Sequence, residues 1–113
     1  MSKLEDLLAG QIRMTGLPDP VREFTKAIPK RRFRFDFAWP EHRLLLEVQG
    51  GSWIGGGHST GKGMSRDAEK NNLAALEGWT VLYATTDQIR SHETVLFLRR
   101  FFTRLTEAQN TLS

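Results

Sequence analysis

The sequence predicts an α/β sandwich built on a mixed sheet, with its elements in the order α-β-β-β-α-β-α. Three observations lead there. Apolar residues recur at helical spacing near both chain ends, two neighbouring runs in the middle alternate with period two, and a continuous apolar run follows a helical segment stopped by glycine. The 113 residues, 39% of them apolar, suffice for one core, so a single domain spanning 1–113 is expected.

Leu4, Leu7, Leu8 and Ile12 lie at helical spacing behind Ser2, a suitable N-cap, and Gly16 to Pro20 end this first helix. Val21 to Ile28 alternates loosely and reads as a strand closed by Pro29. In the next strand Phe33, Phe35, Phe37 and Trp39 share one face and Arg32, Arg34 and Asp36 the other, giving an aromatic core face and a charged face. A turn at Pro40 to His42 leads into RLLLEVQ, where Leu44, Leu46 and Val48 oppose Leu45, Glu47 and Gln49. The two strands therefore form a hairpin.

Gly50 to Gly63 holds seven glycines and little that can be buried, so it reads as a mobile surface loop. Ser65 opens a second helix that runs to about Glu77 and stops at Gly78. WTVLYAT has the length and composition of a central strand covered on both faces. The final helix, from about Ser91 to Gln109, carries Val95, Leu98, Phe102 and Leu105 at helical spacing, with Phe97 and Phe101 beside them.

Sixteen Lys and Arg against thirteen Asp and Glu give a net charge of +3, which biases the surface towards polyanions such as nucleic acid. The absence of Cys excludes disulfides and thiolate metal sites, leaving oxygen or imidazole ligands for any metal. The N-terminal stretch carries charges inside its apolar residues, and no apolar run approaches the ~18 residues that cross a bilayer. A cytoplasmic protein without membrane partners is expected.

Asp36 on one strand and Glu47 on its hairpin partner would lie on equivalent faces, which brings two like charges together and asks for a cation. Mg²⁺ suits such a pair, because it takes one or two carboxylates and completes its shell with waters and phosphate oxygens. The competing reading makes both acids solvated strand residues paired with Arg32, Arg34 or Arg43.

Asp36, ten intervening residues and Glu47-Val48-Gln49 on the following strand resemble the D…E-x-K signature of the PD-(D/E)XK nuclease superfamily, whose third position is usually Lys. The element order matches that superfamily's αβββαβ core, so the resemblance covers residues 1 to about 90 and implies a restriction-endonuclease-like core with an extra C-terminal helix. The small size and Glu5 on the first helix are most similar to archaeal-type Holliday junction resolvases, which also occur in viruses.

That resemblance implies an acidic catalytic set of Glu5, Asp36 and Glu47, with Gln49 in the motif's third position. It implies Mg²⁺, replaceable by Mn²⁺, held by Asp36, Glu47 and the backbone carbonyl of Val48, in a bacterial, archaeal or virus-infected host cell. Glu5 has a structural alternative, since Ser2-Lys3-Leu4-Glu5 is also a capping box.

Gln49 departs from the pattern, because it forms hydrogen bonds but brings no charge to the scissile phosphate. Two readings stay open. Either Gln49 positions the water while Lys62 or Lys70 supplies positive charge, or catalysis is lost and the chain only binds DNA. His58 is a candidate proton shuttle or phosphate contact.

Gly56-x₄-Gly61-Lys62 imitates a phosphate-binding P-loop, but Gly63 stands where Ser or Thr is needed and the chain is too small for an NTPase. No nucleotide cofactor is expected. The same loop, with His58, Ser59 and Lys62, suits a DNA backbone instead, and Trp53 and Met64 are candidates for stacking at a strand exchange point. Lys30, Arg31, Arg32 and Arg34 form the densest basic run, and Arg66 and Lys70, one helical turn apart, extend it. These residues either guide a phosphate backbone or compensate the acidic cluster.

Resolution of a two-fold four-way junction by paired nicks calls for two symmetric active sites, so a homodimer is expected, with Phe97 and Phe101 as candidate interface residues. A nicking or mismatch-repair endonuclease of the same superfamily, and a non-catalytic DNA-binding module, are the alternatives.

Overall fold

The computed structural model describes the backbone of residues 2–49 and 61–112, with side chains over 2–49 and 65–110. The elements run α1 (Lys3–Met14), β1 (Val21–Phe24), β2 (Phe35–Trp39), a 3-10 turn (Pro40–His42), β3 (Leu44–Gln49), α2 (Gly61–Leu76), β4 (Thr80–Thr85), α3 (Thr86–Arg90) and α4 (Glu93–Leu112). The class is α/β, with a four-stranded mixed sheet ordered β1-β2-β3-β4. Contacts divide the chain into two compact units, Pro20–Thr85 and the paired terminal segments Met1–Asp19 and Thr86–Ser113.

In the middle unit β2 runs antiparallel to both β1 and β3, with Phe37 opposite Leu46 and Trp39 opposite Leu44. The 3-10 turn closes this hairpin on Arg43, whose φ of 52° places it in the left-handed region. β4 returns parallel to β3 after α2, with Glu47 opposite Tyr83 and Gln49 opposite Thr85. Sheet order thus follows chain order, because each connection joins neighbours.

Apolar packing under α2 brings Ala74 onto Ala38, Leu45, Phe35 and Trp79, with Ala27 and Ile28 closing the cluster. Trp79 is held from two sides: its indole N–H donates to the Ala27 carbonyl at 3.0 Å, and the Arg43 guanidinium lies 4.4 Å from its ring centre. Arg43 also donates to the Glu77 carbonyl, while Thr80 N–H donates to the Arg43 carbonyl at 2.9 Å, so one residue fastens the start of β3 to the α2–β4 turn. Gly78, at φ 89°, makes that turn possible. Trp79→Phe should cost about 1–3 kcal/mol in urea unfolding, since the Ala27 carbonyl would lose its buried donor.

Several boundaries differ from the sequence expectation. β1 stops at Phe24 rather than Ile28, since Ala27 and Ile28 are buried in the core instead of continuing the ladder; Glu23 within the strand adopts φ 53°. β2 begins at Phe35, and all five of its residues are buried, so the face carrying Asp36 is covered rather than charged and open. Arg32 and Arg34 precede the strand, exposed. β4 is an edge strand with Thr80 and Tyr83 exposed, not a central one. Apolar content alone does not set a strand's place in the sheet.

α2 begins at Gly61, four residues before Ser65, so Gly61 to Gly63 belong to helix. Each glycine there costs the helix about 1 kcal/mol relative to Ala, which favours a later start without forbidding the earlier one. The expectation of a mobile loop at Gly50 to Thr60 lies outside the described residues.

In the terminal unit Ser2 caps α1, its Oγ accepting from the amides of Leu4 at 3.2 Å and Glu5 at 3.4 Å. Gln11, on the buried face with Leu8 and Ile12, donates through Nε2 to the Ile89 carbonyl at 3.0 Å and so ties α1 to α3. α3 was not anticipated: five residues offer too little periodicity, and His92, at φ 67°, separates them from α4. Val95, Leu98 and Phe102 form the buried stripe of α4 at the spacing expected. Among the described residues, no helix is long and apolar enough to cross a membrane.

Candidate functional site

The hairpin places Asp36 and Glu47 across from one another, one step beyond the Phe37–Leu46 pair. Their side chains bond each other's strands. Glu47 Oε1 accepts the Asp36 amide at 3.0 Å, and Asp36 Oδ2 accepts the Val48 amide at 2.8 Å. The expectation that both carboxylates share one face therefore holds in the geometry.

From α2, Lys70 reaches the same point. Its Nζ donates to Glu47 Oε2 at 2.5 Å and lies 4.4 Å from the centre of the Phe35 ring, so the ammonium is pinned between a carboxylate and an aromatic face. The pair is largely buried, with 13% of the Lys70 side chain and 20% of the Glu47 side chain exposed. Burial pushes the Glu47 carboxyl above the ordinary carboxylate range, while the hydrogen bond and charge of Lys70 pull it down. On the outer side Arg34 stands 3.5 Å from Asp36 Oδ1 and 3.4 Å from Glu23.

Tyr83 completes the neighbourhood. It pairs with Glu47 in the β3–β4 register and is 45% exposed. Burial and the charges of Glu47 and Asp67 raise its phenol above the usual value. Sequence reasoning passed over Tyr83 because it sits in an apolar run; its hydroxyl, the one phenol in the chain, was the available signal.

The other expected residues distribute as follows. Gln49 ends β3 and is exposed. Val48 presents its amide to Asp36, and since a strand residue's N–H and C=O leave on the same edge, its carbonyl also faces β2. Arg31 pairs with Glu69 at 3.3 Å and lies over Phe33, which Arg66 approaches at 5.7 Å. Lys30, Arg31, Arg32 and Arg66 are all exposed. Arg43, by contrast, is committed to Glu77 and Trp79. Glu5 occupies the first turn of α1, in the terminal unit. Trp53, His58, Ser59 and the side chains of Lys62 and Met64 lie outside the described residues.

The reading of the acids as solvated strand residues is half met. Arg34 does pair with Asp36, but neither acid is solvated: Asp36 is 6% exposed and Glu47 is turned inward onto Lys70. Among the described residues no group of three or more His, Asp or Glu side chains converges. Two carboxylates and a strand carbonyl remain, hard oxygen donors of the kind that Mg²⁺ takes, although Asp36 Oδ2 and both Glu47 oxygens already accept from protein donors. Comparison with protein-family models, curated proteins and solved structures finds no match to the chain.

Proposed function

We propose that the chain is a Mg²⁺-dependent endonuclease of the PD-(D/E)XK type that cuts branched DNA, with Asp36 and Glu47 as the metal-holding acids. The observation that carries this reading is the meeting of Asp36, Glu47 and Lys70 at one end of the β2–β3 hairpin. Lys70, delivered from α2, supplies the cation that the motif's third position lacks at Gln49.

A bound Mg²⁺ would neutralise charge on the scissile phosphate and lower the pKa of a coordinated water. The chain's own groups do the rest. Asp36 and Glu47 provide the negative charge that recruits the ion, Lys70 stabilises charge developing on the phosphate, and Gln49 at the exposed strand end orients water by hydrogen bonding. Arg31, Arg34 and Arg66 lie exposed in the same unit and supply contacts for the DNA backbone. Paired nicking of a four-way junction requires the active species to be a homodimer.

The decisive experiment incubates the protein with a labelled four-way junction and a matched linear duplex, each with and without Mg²⁺. Cleavage of the junction alone, dependent on the metal, is expected. Equal cleavage of the duplex would assign the nicking or mismatch-repair alternative, and no metal-dependent cleavage would sink the nuclease reading. One observation favours a non-catalytic DNA-binding module: Asp36 Oδ2 and both Glu47 oxygens already have protein donors. Binding without cleavage, unchanged by Asp36→Asn, would select it.

A further inference from the structure

The outer face of α4 carries groups that the proposed chemistry does not use. Leu96, Arg99, Arg100, Thr103, Arg104 and Glu107 line an open groove of about 470 Å³. Phe97 and Phe101 border a second one of about 200 Å³, which shares Arg100 and Arg104. Leu96 and Phe97 are each 52% exposed, whereas the opposite side of the helix is buried through Val95, Leu98 and Phe102. Phe101 is fixed edge-on to Phe102, their centres 5.5 Å apart, so the aromatic wall is held from within.

We infer that this face binds single-stranded nucleic acid, with Arg99, Arg100 and Arg104 on the phosphates and Phe97 stacking on a base. Charge decides among possible occupants. Three guanidinium groups against the carboxylates of Glu107 and, one turn before Phe97, Glu93 leave the face net cationic. A second copy docked symmetrically would bring like charges together. A protein partner would need a larger apolar centre than Leu96 and Phe97 offer, since standard interfaces bury about 800 Å² on each side. A polyanion with accessible bases meets both features: guanidinium groups pair with phosphates, and an exposed aromatic ring stacks on any base. Duplex DNA presents the phosphates but keeps its bases stacked.

The test measures binding of the full chain to a fluorescent single-stranded oligonucleotide and to the matching duplex, in EDTA so that no cleavage intervenes. Phe97→Ala should weaken single-strand binding about 5- to 20-fold and leave duplex affinity within about two-fold. The double substitution Arg100→Gln with Arg104→Gln should lower the slope of log affinity against log salt by about 1.4 on the single strand. All three positions are exposed or half-buried on the helix surface, so a circular dichroism spectrum like that of the parent is expected. Single-strand affinities within two-fold of the parent for both variants would overturn the inference. Dissociation of a dimer by Phe97→Ala in sedimentation would overturn it too, giving the face to a second copy. Loss of cleavage in Asp36→Asn leaves this result untouched, so the two readings fail separately.

Discussion

Asp36→Asn is expected to abolish metal-dependent cleavage while leaving the fold intact. Asn keeps an oxygen that accepts the Val48 amide, now held at 2.8 Å, so the strand pairing survives; the charge is lost and with it the outer pair to the exposed Arg34. Charge stabilisation by a metal is worth several kcal/mol, and each 1.36 kcal/mol is tenfold in rate, so a fall of about 10³-fold follows. Single-turnover cleavage of the junction, beside a urea unfolding curve, is the measurement. A variant that cleaves within tenfold of the parent would remove Asp36 from the metal site. Glu47→Gln is a less clean probe: its amide NH₂ would face the Lys70 ammonium, donor against donor.

Lys70→Met is expected to damage both activity and stability. Methionine preserves most of the apolar stem over Phe35 but removes the charge opposite Glu47. Breaking a buried pair from one side costs about 3–5 kcal/mol, and the residual exposure of both partners puts this case at the lower end. Loss of a charge-stabilising donor lowers cleavage by about 10²-fold. Lys70→Arg separates the two effects, because it keeps the charge and changes only the shape of the donor. Stability recovered with activity still depressed would show that Lys70 acts at the phosphate as well as in the fold. Full activity in Lys70→Met would remove Lys70 from the chemistry and leave the departure at Gln49 without a compensating cation.

The order of elements and the hairpin were legible in the sequence because period-two alternation from Phe35 to Gln49 and helical spacing at Leu8, Ile12, Val95 and Leu98 are local properties. The shared face of Asp36 and Glu47 follows from the same alternation and a short turn. What stayed hidden depends on long-range packing. The sequence offers Lys70 beside Lys62 as a candidate cation, but nothing near Asp36 in sequence indicates that α2 covers its face or that Lys70 reaches Glu47. The edge position of β4 and the inward turn of Ala27 and Ile28 are likewise consequences of how α2 closes the sheet, and burial of those two residues imitates a strand pattern. Positive φ at His92 separates α3 from α4 where the residue types give no warning.

Strand ends ordinarily fray, and amide protons there exchange early. At the open end of this hairpin the Asp36 and Val48 amides are each latched by a carboxylate from across the gap. The groups proposed for chemistry thus double as stitching. An alanine scan would read their loss as a loss of stability, and any variant that keeps this end closed needs a side-chain oxygen acceptor at both positions.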